Sequence, residues 1–157
     1  MTRRITSARE SIDAVAELLA SACATVDILS PGLDPVLFDR DEVVAAVRAL
    51  AVHAGRRARV RLLLRDSTTA VRSGHRLVGL ARQLTTAVET RRLAEEDARD
   101  EATWVIVDAR AIAQWPAPGY DGTVASDSRA AAARAGRLFT ERWERAEPDP
   151  ETRRLTL

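Results

Sequence analysis

The sequence predicts an α/β fold: a three-layer α/β/α sandwich with a mixed, mostly parallel sheet. Helical patterns alternate with short apolar runs along the chain, as in proteins whose helices cover a sheet. The chain has 157 residues, enough for one domain with a sizeable core, and 46% of them are hydrophobic. One globular domain is therefore expected rather than a disordered chain.

The first half of the chain predicts three helices and three strands. Ser7 and Glu10 form a capping box that begins a helix. Strand 25–29 follows and is stopped by Ser30-Pro31-Gly32. A loop at 33–40 leads to helix 41–54, which Gly55 ends as a C-cap. The remaining elements are strand 58–64, a polar loop at 65–73, helix 74–86 and strand 88–91.

The second half predicts a hairpin followed by a long helix. A charged loop at 94–101 precedes strand 103–107, which pairs with strand 111–115 through the turn Asp108-Ala109-Arg110. After a loop at 116–122, the last helix runs over 126–146. Residues 1–146 are predicted to form the domain and 147–157 a tail, for which the alternation of Leu155 and Leu157 suggests docking as an edge strand.

The charges of the chain almost cancel. It has 24 basic and 23 acidic residues, a net charge of +1, so a globally basic surface for nucleic acid is not supported. All the basic residues are arginine, and neither lysine nor asparagine occurs, which excludes chemistry that requires them. The pattern contains no signal peptide and no membrane span, so a cytoplasmic protein without membrane contact is expected.

Metal and cofactor motifs are missing from the sequence. Cys23, His53 and His75 are the only cysteine and histidines, and they form no ligand cluster, so no metal site is predicted. Neither a dinucleotide-binding glycine motif nor a phosphate-binding P-loop occurs, and no cofactor is predicted. Cys23 falls on the apolar stripe of the first helix, where a buried thiol is expected.

Several motifs resemble a known family. Strand 103–107 ends in Asp108, and the last helix carries the pair Phe139 and Trp143. This arrangement resembles half of a phospholipase D-like domain. The whole chain is similar to a group of uncharacterised bacterial proteins with degenerate domains of this type. That similarity rests on Leu33-Asp34-Pro35, Gly74-His75-Arg76-Leu77 and the ending from Trp143-Glu144-Arg145 to Arg154-Leu155.

The chain departs from the family at its catalytic motif. The resemblance implies a His-x-Lys motif before the strand, in which His attacks phosphorus and Lys stabilises the developing charge. Here the stretch reads Glu101-Ala102-Thr103-Trp104, and Asp108 has no catalytic partner. Phosphodiester cleavage by the family mechanism is therefore not expected, and no catalytic residue is assigned. Because half-domains of the family often pair, the resemblance also implies a homodimer.

One group of residues is a candidate anion site. Arg72, His75 and Arg76 stand near a helix start, where free backbone amides bind anions. Asp66 follows a strand whose carboxyl end is a common ligand position, and Asp108 completes the set. The alternative is that His75 and its neighbours form a solvated first turn of helix.

Two classes of function follow from these observations. The first is a non-catalytic phospholipase D-like domain that binds a partner protein or a phosphate-bearing ligand, nucleic acid included. The second is an enzyme of unrecognised chemistry that uses Asp66, His75 and Asp108.

Overall fold

The computed structural model describes residues 2–153, and over this range a mixed sheet forms the middle of the protein. Its strands are β1 (Thr2–Ile5), β2 (Thr25–Ser30), β3 (Arg59–Leu64), β4 (Val88–Arg92), β5 (Thr103–Val107), β6 (Ala111–Trp115), β7 (Gly122–Ala125) and β8 (Glu147–Pro148). They lie in the order β1-β7-β6-β5-β2-β3-β4-β8.

Helices lie on both faces of this sheet. They are α1 (Ala8–Ala20), α2 (Pro35–Phe38), α3 (Asp41–Ala54), α4 (Thr68–Arg72), α5 (Arg76–Gln83), α6 (Arg129–Arg145) and α7 (Pro150–Arg153). The predicted capping box is present, because the Ser7 hydroxyl accepts the Glu10 N–H at 3.1 Å. Gly55 ends α3 at φ 56°, a conformation that favours glycine.

Two apolar cores separate the layers. Residues of α1 to α5 pack on one face of the sheet, against side chains such as Val26, Ile28 and Leu62. On the other face, Phe139 and Trp143 of α6 pack in a second cluster that includes Leu29, Leu63 and Trp104. The three-layer α/β/α sandwich with a mixed sheet is therefore confirmed.

The prediction of a mostly parallel sheet was wrong. Among the strands of residues 2–153, β2–β3 and β3–β4 are parallel, and the other five pairings are antiparallel. Helical connections join the parallel strands, whereas β5, β6 and β7 are joined by short turns that reverse the chain. The first of these strands, β5, pairs with β2 in antiparallel register, so the antiparallel strands β5, β6, β7 and β1 continue the sheet on one side of β2.

Other departures from the predicted elements occur at short or polar segments. The expected loops at 33–40 and 65–73 contain α2 and α4, and the two paired strands β1 and β7 were not predicted. Cys23 is exposed rather than buried, because α1 ends at Ala20 and the thiol lies in the following turn.

The tail returns to the sheet at its far edge. Glu147 and Pro148 pair with Arg92 and Arg91 of β4 as a two-residue strand. Leu155 and Leu157, on which the expectation of an edge strand rested, lie outside the described residues. Edge pairing also suits Pro148, since proline lacks the N–H that a central strand needs.

Candidate functional site

Asp66 and Arg72 flank α4 beyond the carboxyl end of β3. The Asp66 carboxylate accepts the Thr68 N–H at 2.9 Å, and this hydrogen bond holds the pKa of the carboxyl below its usual range. Asp66 is exposed, and Arg72 is exposed in the last turn of the same helix. The Asp66 side chain is therefore engaged with the first N–H of α4, one residue before the N-cap Ser67.

His75 is buried, with 2% of its surface exposed. Its Nδ1 accepts the Leu77 N–H at 3.2 Å and so caps α5. The proton of the neutral ring then resides on Nε2, which has no hydrogen-bond partner among the described residues. Burial lowers the pKa of His75, although the charge of Asp39 acts in the opposite direction. His75 is thus a neutral buried cap, and its burial is inconsistent with a solvated first turn.

Arg76 is held by acidic residues of a neighbouring segment. Its Nε donates to the Asp39 carboxylate at 2.9 Å, its Nη2 donates to the Asp39 carbonyl at 2.9 Å, and its Nη1 pairs with Asp41. These carboxylates raise the pKa of Arg76. Because its charge is already compensated, Arg76 does not present a free cation to an anionic ligand.

A cavity of about 310 Å³ beside α5 is lined by His75 and several arginines. In addition to Arg76, it contacts Arg48, which donates to Gln83 at 3.0 Å, and Arg82, which donates to the Glu151 carbonyl at 2.7 Å. Neither Asp66, Arg72 nor Asp108 lines it. Each arginine of this cavity already has a protein acceptor.

Asp108 lies at the opposite end of the central strands. It has φ 52°, and its carboxylate accepts the N–H groups of Cys23 at 2.7 Å, Ala24 at 2.9 Å and Thr25 at 2.9 Å. Burial would raise the pKa of Asp108, but these hydrogen bonds outweigh it and hold the pKa below its usual range. A strand of this length spans about 17–20 Å, so Asp108 is not joined with Asp66 and His75.

The stretch from Glu101 to Trp104, in which no His-x-Lys motif was found, contains an ion pair. Glu101 contacts the Arg65 guanidinium at 3.3 Å, with both side chains about half exposed. Thr103 is partly buried in β5 opposite Trp115 of β6. A carboxylate neutralised by arginine supplies neither the nucleophile nor the general acid that a histidine would supply.

A cleft that the sequence analysis missed lies between α6 and the amino-terminal halves of β2 and β3. It encloses about 550 Å³, and its floor is a bidentate ion pair in which Arg61 donates to Asp27 at 2.7 and 3.0 Å. The Arg61 guanidinium lies 5.0 Å from the Phe139 ring centre and 5.4 Å from that of Trp143. The signal was available, since Asp27 and Arg61 interrupt otherwise apolar strands.

Two further properties concern residues 2–153. Over this range, no cluster of three or more His, Cys, Asp or Glu side chains is arranged to hold a metal ion. None of the helices described combines the length and the apolar character needed to cross a membrane.

The architecture is shared with solved structures of low sequence identity. The chain is similar to Nuc from Salmonella typhimurium, a phospholipase D family member, with a TM-score of 0.69 and 11% identity over 95% of this chain and 97% of that chain. It is also similar to NucT from Helicobacter pylori, with a TM-score of 0.64 and 11% identity over 95% of this chain and 100% of that one. The protein therefore has a phospholipase D-like fold.

A third similar structure is an archaeal chromatin protein, TrmBL2, described as showing a novel mode of DNA binding. The TM-score is 0.68 and the identity 16%, over 94% of this chain and 54% of that chain, so this chain spans about half of TrmBL2. No curated protein matches the sequence. The family described as "Domain of unknown function (DUF7931)" matches residues 7–155, and the chain belongs to this family.

Proposed function

We propose that this protein is a non-catalytic phospholipase D-like half-domain that acts by binding a partner protein. The observation that supports the loss of catalysis is the Arg65–Glu101 ion pair, which stands where the family resemblance requires a catalytic histidine. No lysine exists in the chain to replace the second residue of the motif. Asp108, the remaining motif position, uses its carboxylate to hold three backbone amides.

The geometry favours a protein partner over a phosphate-bearing ligand. The residues predicted to bind an anion are dispersed. Asp66 accepts the first N–H of α4 and His75 caps α5. Arg76 is neutralised by Asp39 and Asp41, and Asp108 lies at the other end of the sheet. A phosphate site needs convergent free donors. This dispersion also gives no support to an enzyme that uses Asp66, His75 and Asp108.

Nucleic acid is the second candidate ligand, and one observation favours it. TrmBL2, whose fold is similar, is described as binding DNA. The net charge of +1 argues against a general affinity for the phosphate backbone, because such binding depends on neutralising several phosphates with basic side chains. We therefore place nucleic acid behind a protein partner, and the homodimer implied by the family resemblance is the first partner to consider.

Hydrolysis of bis(p-nitrophenyl) phosphate tests the loss of catalysis. We expect no release of nitrophenol by the wild-type chain above that of buffer, and the same for Glu101→Ala and His75→Ala purified in parallel. Turnover by the wild type that either variant abolishes would contradict the proposal and would assign that residue to an active site.

Thermal unfolding against nucleotides, phosphoesters and short single-stranded DNA and RNA tests the kind of ligand. A ligand at one hundred times its Kd stabilises the folded state by about 2.7 kcal/mol, which raises the unfolding midpoint measurably. We expect no shift for any member of the panel. A shift that Arg72→Ala removes would overturn the preference for a protein partner and support a phosphate-binding protein.

A further inference from the structure

The outer face of α6 carries an ordered set of exposed side chains: Arg134, Arg137, Leu138, Glu141 and Glu144. At 3.6 residues per turn they fall within an arc of about 120°, on the side away from Phe139 and Trp143. Leu138 is 38% exposed, one of few large apolar side chains at the described surface. Arg145 falls in the same arc, but its guanidinium pairs with Asp97 at 2.7 Å. The four remaining charges are basic in the first half of this outer face and acidic in the second half, and Leu138 lies between them along the helix.

The order of these charges is unfavourable for α6 by itself. The helix dipole disfavours an acidic residue in the last turn, where Glu144 lies. Arg137 and Glu141 are spaced i and i+4, but with the basic residue first, which is the weaker orientation. Among the described residues, none of the four charged side chains of the outer face makes an ion pair within 4.0 Å.

Two other arginines of α6, unlike those of the outer face, form ion pairs within the chain. Arg142 pairs with Asp100 at 3.1 Å, and Arg145 pairs with Asp97 at 2.7 Å, so both fix the loop that precedes β5. These two arginines therefore stabilise the fold. The charges of the outer face have no such role in the single chain.

The charges of the outer face are complementary to themselves about one point. Arg134 and Glu144 stand five residues on either side of Phe139, and Arg137 and Glu141 stand two residues on either side. If a second α6 lies antiparallel at this level, each arginine faces a glutamate of the other copy. A parallel arrangement would instead place like charges together, which is unfavourable.

We propose that the outer face of α6 is the interface of a twofold-symmetric homodimer in which the two α6 helices pack antiparallel. Such an interface uses the same patch on both subunits and must be self-complementary, as this one is. Leu138 lies one residue from the level of the axis, so its side chain adds an apolar contact beside the ion pairs. The inference deepens the proposed binding function by naming the partner and the surface.

The small side chains beside the outer face allow close approach. Ala133, Gly136 and Thr140 lie on the flank of α6 that borders the 550 Å³ cleft, which Arg137, Glu141 and Glu144 also line. The α6 helix of a second copy can therefore pack partly over the cleft.

Charge exchange on the full-length chain, followed by sedimentation velocity, tests the interface. We expect a dimer for the wild type that weakens as salt is raised. Arg134→Glu with Arg137→Glu makes all four of these charges acidic, and Glu141→Arg with Glu144→Arg makes all four basic; each double variant should be monomeric. An equimolar mixture of the two should restore the mass of a dimer, and so should the variant that carries all four changes.

The control is Arg56→Glu with Arg57→Glu, an equal charge reversal on exposed residues away from α6, which should remain dimeric. Circular dichroism of every variant checks that it is folded. A monomeric wild type, or double variants that stay dimeric, would overturn the inference. Phosphodiester hydrolysis by a dimer would refute the proposed function and leave this interface intact, so the two failures are distinguishable.

Discussion

The side chains that β2 and β3 present on the two faces of the sheet differ in polarity. Towards the side of α1 to α5, β2 and β3 present Val26, Ile28, Val60 and Leu62, all at most 1% exposed. Towards α6, the same strands present Leu29 and Leu63 in their second halves but charged residues in their first halves. On this side one helix, α6, covers only part of the sheet.

On the side of the sheet that faces α6, the charged first halves of β2 and β3 contain the Asp27–Arg61 pair, whose side chains are each 11% exposed. Removing two charges from water costs free energy that their attraction only partly returns, so a buried pair is weak evidence for stability. The pair instead keeps a polar floor beneath the open cleft. A comparison of the two faces by mutation therefore separates residues that hold the fold together from residues that keep the cleft open and polar.

The largest effect is expected on the face covered by five helices. Phe38→Ala removes a fully buried ring from α2 and should lower the free energy of unfolding by about 3–5 kcal/mol. Val36→Ala in the same short helix is the matched control, because Val36 is 39% exposed, and it should cost less than about 1 kcal/mol. Urea unfolding measures both. Equal losses for the two variants would show that this face is not the main core.

An intermediate effect is expected from the ion pair. Asp27→Ala leaves Arg61 buried without its partner and should cost about 3 kcal/mol in urea unfolding. The double variant Asp27→Leu with Arg61→Met replaces both charges by apolar groups and should unfold within about 1 kcal/mol of the wild type, or be more stable. Glu89→Ala, an exposed carboxylate on the neighbouring strand, is the control. A double variant as unstable as Asp27→Ala would show that the pair itself stabilises the fold.

The smallest effect concerns pH and His75. Burial lowers the pKa of His75 in the folded state below the ordinary value of 6.5, so the unfolded chain binds the proton more readily. The contribution of His75 to the free energy of unfolding should therefore be fully present above pH 6.5. It should be lost progressively as the pH falls from 6.5 towards the lowered pKa of the folded state. His75→Asn should keep the cap and lose this dependence in unfolding measured between about pH 7 and 5.5. Exposed His53→Asn is the control, and an unchanged slope in His75→Asn would contradict the assignment.

The sequence was sufficient to predict the elements that have a strong hydrophobic periodicity and clear residues at their ends. The predicted helix 41–54 matches α3 at both ends because acidic residues begin it and Gly55 stops it. By contrast, β1 and β7 have four residues each, and only Ile5 and Val124 among these are large and apolar, so neither alternation nor hydrophobicity predicted them. The reason for Gly122 can be seen only in the structure. A Cβ there would collide with the Gln114 carbonyl and the Trp115 ring, and its absence lets β7 pair closely with β6.

The candidate site was predicted from the spacing of residues close together in the sequence. In the structure, these residues form ion pairs and hydrogen bonds with residues that are far away in the sequence. Arg72, His75 and Arg76 are adjacent in sequence, but the carboxylates that neutralise Arg76 come from Asp39 and Asp41. Asp108 was a plausible motif position, yet its three hydrogen bonds go to the turn before β2. Periodicity reports which face a residue occupies, and it carries no information about which distant polar group will pair with it.

The pairing of β1 with β7 has a consequence for biosynthesis. Thr2–Ile5 is synthesised about 120 residues before Gly122–Ala125, its hydrogen-bonded neighbour in the described sheet. At ribosomal rates of about 5–20 residues per second, β1 waits about 6–24 s for this strand. During that time its arginines, Arg3 and Arg4, keep the waiting segment charged and so disfavour pairing with the β1 of another nascent chain.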